Sequence, residues 1–166
     1  DIARFGQDKT VVMVWNGFRL IDIHTMQISS VVDCINLINN LRQKYKVPIS
    51  NIIVDEDGVG GGVVDYLHCE GFVNNSRPFY KKNYENLKSQ CSILMAKRIE
   101  NREVVEVCSD KAVIDLVSEE MEQIKMKDID RDSKLGIIPK DKIKELIGRS
   151  PDDWDSIMMR EWFEFT

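Results

Sequence analysis

Residues 51–67 read NIIVDEDGVGGGVVDYL, and the order of residue types in this stretch decides the fold class. The short apolar run Ile52-Ile53-Val54 ends in three acids, Asp55, Glu56 and Asp57. A continuous apolar run of this length predicts a strand buried on both faces, with its polar carboxyl end exposed. GVGGG then predicts a turn, and VVDYL a short helix. The glycines lack the lysine of a P-loop and the GxGxxG spacing, so close helix–strand packing explains them better than a phosphate cradle. Strand, glycine turn and helix together make an α/β unit.

Toward the amino end, TVVMVWN and FRLIDIHTMQ are β-rich runs joined through Asn16-Gly17, a strong hairpin signal. The second run alternates, with Leu20, Asp22, His24 and Met26 on one side and Ile21, Ile23 and Thr25 on the other. SSVVDCINLINNLRQKYKV predicts a helix with Val31, Ile35, Ile38, Leu41 and Tyr45 on one face, a cap at Ser29 or Ser30, and Pro48 beyond its end. His24 reads as a surface residue and His68 as an ordinary helical one; neither is assigned to catalysis.

Toward the carboxyl end, SRPFY predicts a strand, and residues 84–101 a long helix with Leu87, Cys91, Leu94, Met95 and Ile99 inward. VVEV predicts another strand. KAVIDLVSEEMEQIKM predicts a helix burying Val113, Leu116, Val117 and Ile124. SKLGIIPKDKIKELIGR predicts a basic strand or hairpin, and SPDDWDSIMMREWFEF a helix capped by Ser150 with Pro151 at its first position. The expected whole is a mixed sheet, antiparallel in its first half and parallel in its second, covered by helices.

A chain of 166 residues with 43% hydrophobic and 31% charged residues fits one globular domain. No apolar run reaches the length of a membrane span. Cys34, Cys69, Cys91 and Cys108 lie far apart without CxxC spacing, which predicts reduced thiols in a cytoplasmic protein rather than a zinc site or a disulfide framework. A net charge of -5 argues against a dispersed nucleic-acid coat but leaves room for an acidic, cation-holding pocket.

The acids fall into three clusters: Asp1 with Asp8, Asp55-Glu56-Asp57, and Asp152-Asp153-Trp154-Asp155. If the strands of Asp1 and Asp55 are neighbours, their carboxylates come within roughly one inter-strand spacing of 4.8 Å. Such a pair repels unless one protonates or a cation intervenes. Mg²⁺ or Mn²⁺ takes oxygen ligands, and two such ions about 3.5–4 Å apart activate a water and stabilise the leaving oxygen of a phosphodiester. Asp152 and Asp153 already suit a helix amino end. Asp155 shares the apolar side of Met158, Met159 and Trp162, where a carboxylate calls for a metal or a buried partner. Asp8, Glu56 and Asp57 are expected to be turn acids or supports. Lys140, Lys142, Lys144 and Arg149 form a basic strip leading into the third cluster and are candidate phosphate contacts, with Arg4, Asn86 and Lys88 as weaker ones.

These residues carry a family resemblance. Asp1, Ala3, Gly6, Asp8 and Thr10, then VDEDGVGGGVVDYL, then GRSPDDWDS resemble in order the three acidic motifs of the nuclease domain of tailed-phage terminase large subunits. KKNYENLKSQCSILMAKRI resembles that family's helix carrying Asn and basic residues, and IPKDKIKELIGRSPD its approach to the last acid. The resemblance runs along essentially the whole chain. It implies an RNase H-like mixed central sheet flanked by helices over residues 1–166, and an endodeoxyribonuclease that cuts concatemeric viral DNA during packaging. By position, Asp1, Asp55 and Asp155 would be catalytic metal ligands with Asp152 accessory, holding two Mg²⁺ or Mn²⁺ ions. Implied partners are double-stranded DNA, a terminase ATPase domain, a small terminase subunit and a portal protein, without a membrane, in the cytoplasm of an infected or lysogenic bacterium.

The sequence departs from the family pattern at Trp154, where a small residue is common, which reads as a packing change. Family members also carry strand residues ahead of the first acid, so a clipped domain is expected; the ATPase motif GxxxxGK[ST] does not occur. Three other readings compete: a Holliday-junction resolvase-like nuclease, an actin-like ATPase, and a non-cutting domain that docks to a packaging motor.

Overall fold

The computed structural model describes residues 1–3, 8–27, 29–107, 111–127 and 133–166. Arg4, Gly6 and Cys108 lie outside the described residues. Strands β1 (Thr10–Asn16) and β2 (Arg19–Met26) pair antiparallel as expected. Asn16 stands opposite Arg19, so the turn is Gly17-Phe18, one residue beyond the predicted dipeptide. Gly17 takes φ +59, a conformation that suits a tight hairpin turn and favours glycine.

Helix α1 (Val31–Tyr45) starts at Ser30 with a reciprocal capping box to Asp33. Its Cys34, Ile35 and Ile38 pack with Val54 of β3 (Ile53–Asp55) and with Val63 and Leu67 of α2 (Gly61–Leu67). The glycine turn serves close packing: a Cβ on Gly60 would stand 1.7 Å from the Asp55 carbonyl oxygen. Strand β4 (Glu70–Phe72) lies parallel to β3. It comes from the residues directly after α2, not from SRPFY. Pro78 has no N–H for a ladder, and residues 79–81 form a 3-10 turn instead.

Strand β5 (Val105–Glu106) lies parallel on the other edge of β2. The antiparallel and parallel halves both form, but in separate sheets ordered β1-β2-β5 and β3-β4. A cavity of about 910 Å³ lies between β1 and β3.

Helices α3 (Leu87–Glu100) and α6 (Asp152–Met159) form the second core, where Leu87, Cys91 and Met95 meet Phe72, Trp154, Ile157 and Met158. Helix α3 begins at Leu87 rather than Tyr84 because the Asn86 side chain accepts from the Ser89 N–H at 2.8 Å. Trp154 is a packing residue, 1% exposed, with its indole N–H donating to Ser92.

Three further expectations change. Helix α4 (Lys111–Glu122) exposes Leu116 at 41% and buries Glu120 completely, because Glu120 reaches across to accept the Trp154 N–H at 2.9 Å. The basic segment is a helix, α5 (Lys140–Ile147), not a hairpin. Pro139 fixes the chain ahead of its first turn, Ile143 and Ile147 fall one turn apart, and Gly148 closes it in the left-handed region. Helix α6 is preceded by Pro151 in the cap position, and Ser150 Oγ makes no hydrogen bond. Among the described residues no helix is long and apolar enough to cross a membrane. Cys34, Cys69 and Cys91 are free thiols.

Candidate functional site

Asp1 and the third acid cluster meet where β1 and α6 approach one another. The Asp1 nitrogen donates to the Val11 carbonyl at 2.9 Å and to Ser156 Oγ at 3.2 Å, while the Val11 N–H returns a bond to the Asp1 carbonyl. This pairing fixes Asp1 both to β1 and to α6, one residue from Asp155. The same nitrogen lies within electrostatic reach of Asp55, Asp155, Asp152 and Lys140. Residues from distant parts of the sequence therefore share one locality. Asp1 and Asp55 do not sit on paired strands, however: β3 ladders with β4, and Asp1 bonds to β1.

Asp55 is held by its neighbours. Its Oδ1 accepts the Asp57 N–H at 2.9 Å and its Oδ2 accepts Asn74 Nδ2 at 3.0 Å. Asn74 also donates from Nδ2 and from its backbone N–H to Asp57. Asn74 escaped the sequence reading; the only available signal was the Asn74-Asn75-Ser76 turn directly after β4.

Asp152 and Asp155 are each 2% exposed. Asp152 accepts the Lys9 backbone N–H at 2.9 Å and has Lys140 Nζ at 3.5 Å. Asp155 Oδ2 accepts Lys140 Nζ at 2.8 Å, and Lys88 Nζ lies 2.6 Å from its Oδ1. Burial opposes the Asp155 charge, but the two lysines outweigh it and hold the carboxyl below its ordinary range. Lys140 answers in kind: burial disfavours its ammonium, yet Asp155 and Asp152 raise its pKa.

Behind this group, the fully buried Asp153 takes an ion pair from Lys9, a residue the sequence reading passed over. Glu120 lies beside it, and burial together with the Asp153 charge pushes the Glu120 carboxyl up to about 8.

Of the predicted phosphate contacts, Lys88 and Lys140 stand inside the acid cluster. Lys144 pairs with Asp8 at 3.2 Å, and Arg149 binds the Leu116 carbonyl, Glu119 and Glu120. Lys142 is exposed. Asn86 caps α3 and donates to Asn75. His24 stays with Asp22 on one side of β2 at 3.0 Å, and His68 ends α2 in the left-handed region at φ 53.

Each oxygen of Asp155 faces an ammonium, Lys88 at Oδ1 and Lys140 at Oδ2, so two lysines meet the charge of this buried carboxylate. Asp155 Oδ1 is buried and paired with the Lys88 ammonium at 2.6 Å. Among the described residues no three His, Cys, Asp or Glu side chains are gathered closely enough to hold a metal ion.

No family model matches the sequence, and no curated protein does. Solved structures do match. The nuclease domain of the large terminase subunit gp2 of bacterial virus Sf6 has a TM-score of 0.81 at 16% identity, covering 95% of this chain and 84% of that one. A point variant of that domain with manganese and beta-thujaplicinol gives the same values, and one with calcium has a TM-score of 0.80. The fold is RNase H-like, as the sequence resemblance implied.

Proposed function

We propose that this chain is the endonuclease domain of a phage DNA-packaging terminase, hydrolysing phosphodiesters of concatemeric viral DNA with two divalent cations. The observation that carries the proposal is the seating of Asp1 against α6, where its nitrogen bonds Ser156 Oγ at 3.2 Å beside Asp155 and feels the charges of Asp55, Asp155 and Asp152. The matched fold, in a domain described as a nuclease, supports it. Asp1, Asp55 and Asp155 would hold Mg²⁺ or Mn²⁺, with Asp152 as an additional ligand. When bound, such ions supply Lewis acidity and an activated water.

The chain's own residues do the rest. Asn74 and the Asp57 N–H orient Asp55. Lys9 and Lys140 orient Asp152, and the turns of α6 present Asp155 on the same side. Lys142, Lys144 and Arg149, with Arg4, Asn86, Lys88 and Lys140, are the candidate contacts to the DNA backbone. Such contacts position a duplex without reading its sequence.

Asp55→Asn or Asp155→Asn should abolish Mn²⁺-dependent nicking of a supercoiled plasmid while leaving the circular dichroism spectrum unchanged. Full activity in either variant removes the proposal. Lys88 and Lys140 already neutralise Asp155, which would also suit a non-cutting docking domain. Absence of any Mn²⁺-induced rise in melting temperature would favour that second reading.

A further inference from the structure

We propose that the loop of residues 75–86 grips a nucleic-acid strand, with Arg77, Lys81 and Lys82 on backbone phosphates and Tyr80 stacked on an unpaired base. The ligand class rests on the nuclease reading above; the four side chains are ones that reading does not name. The loop is closed at its base. The Lys88 N–H donates to the Asn74 carbonyl at 3.1 Å and the Leu87 N–H to the Ser76 carbonyl at 2.8 Å. Asn86 Nδ2 donates to Asn75 Oδ1 at 3.2 Å. Asn74 in turn holds Asp55, and Lys88 pairs with Asp155, so one short stem ties the loop to both carboxylates. Compact loops with neighbouring ends are frequent carriers of function on a rigid base.

Within the loop, Phe79 is fixed twice over. Buried Gln90 accepts its N–H at 2.8 Å and donates to its carbonyl at 3.4 Å. The Phe79 ring also stacks on Phe165, with centroids 4.8 Å apart. This anchor holds an unfavourable backbone in place. Tyr80 and Lys81 take φ 56 and 52, in the left-handed region that bulky side chains rarely adopt. Such strain costs stability and persists where the surroundings enforce it, as at ligand clamps. The Tyr80 hydroxyl donates to the Phe165 carbonyl at 2.9 Å, which orients the ring, yet the residue is 68% exposed.

The charge around that ring is of one sign. Residues 75–84 contain no acid, in a chain of net charge -5. Arg77, Lys81 and Lys82 are exposed, and among the described residues none of them has an ion pair. The next acid along the chain, Glu85, is already taken by Lys127 at 2.7 Å. Unpaired cations attract a polyanion, and an open aromatic ring among them adds a face on which a base stacks. An acidic peptide would meet the charges and leave the ring without a partner.

Fluorescence anisotropy in Ca²⁺ tests the grip with a labelled single-stranded oligonucleotide and a blunt duplex of the same sequence. Tyr80→Ala should bind the single strand about tenfold more weakly, the scale of one lost base stack, and the duplex nearly as wild type does. Replacing Lys81 and Lys82 together by Ala should reduce the slope of log affinity against log salt by about 1.4 on the single strand, about 0.7 for each phosphate. Lys81→Gly removes the Cβ at positive φ, so it should melt at or above wild type while still losing its share of that slope. Unchanged affinity and slope in these variants, with wild type still binding DNA, overturns the grip and leaves the nuclease reading standing. Equal losses on both DNAs in Tyr80→Ala overturn the stacked base. Displacement of the strand by polyglutamate at matched charge overturns nucleic acid as the ligand and assigns the loop to an acidic protein. A wild type that binds neither DNA overturns both readings.

Discussion

Asn74 holds Asp55: its Nδ2 donates to Asp55 Oδ2 at 3.0 Å and to Asp57 Oδ2 at 2.8 Å. One amide thus sets the direction of a carboxylate at the end of β3. Asn74→Ala should leave the fold in place and weaken Mn²⁺ binding by about 10- to 100-fold, the usual effect of losing a group that orients a ligand. Titration calorimetry checks this. Unchanged affinity would mean that Asp55 needs no support.

Gly60 lies against the Asp55 carbonyl, and a Cβ there would stand 1.7 Å from the oxygen. Gly60→Ala must push α2 away from β3 or move Asp55 itself. Overpacking of this kind costs about 1–3 kcal/mol. Urea unfolding should show that loss, and Mn²⁺ affinity should fall with it. By contrast, Gly62→Ala meets only Val31 methyl groups at 3.7 and 4.0 Å and should be tolerated.

Glu120 predicts a particular pH dependence. Its carboxyl titrates at about 8 in the folded chain against an ordinary 4.5, because burial and the Asp153 charge favour the protonated form. Folding therefore takes up a proton. The associated stability is full below about pH 4.5 and is lost as pH rises toward about 8. Glu120→Gln imitates the protonated state, so its stability relative to wild type should rise across that window. Melting curves at several pH values measure it; an offset independent of pH would contradict the assignment.

Lys142 is an exposed cation of α5, on the segment leading into the acids. If it contacts phosphate, Lys142→Ala should weaken DNA binding equally for unrelated sequences. It should also reduce the slope of log affinity against log salt by about 0.9. Fluorescence anisotropy with Ca²⁺ in place of Mn²⁺ provides the measurement. An unchanged slope would place the DNA track elsewhere.

The local signals of the sequence carried far. Alternation in residues 19–26, the capping serine of α1, and the apolar run ending at Asp55 each determine their element through contacts within a few residues. The failures share a different physics. SRPFY has β-forming residues, but the parallel partner of β3 was chosen by the short reach of the chain after α2. KDKIKELI looks polar enough for a surface hairpin, whereas Pro139, Ile143 and Gly148 mark a helix whose one buried side chain is Ile143.

The candidate site was legible as three clusters of acids along the chain and no further. That Lys88 and Lys140 would turn inward to Asp155, that Lys9 would pair with Asp153, and that Asn74 would hold Asp55 all depend on contacts between residues remote in sequence. No periodicity encodes those contacts. Glu120 shows the same limit, since a helical acid is ordinarily solvated and only the approach of α6 buries it.

Anomalous diffraction at the manganese edge, from crystals soaked in Mn²⁺, tests the central claim most directly. The account predicts peaks bounded by the Asp1, Asp55 and Asp155 carboxylates. Crystals saturated with Mn²⁺ that show no peak there would contradict it.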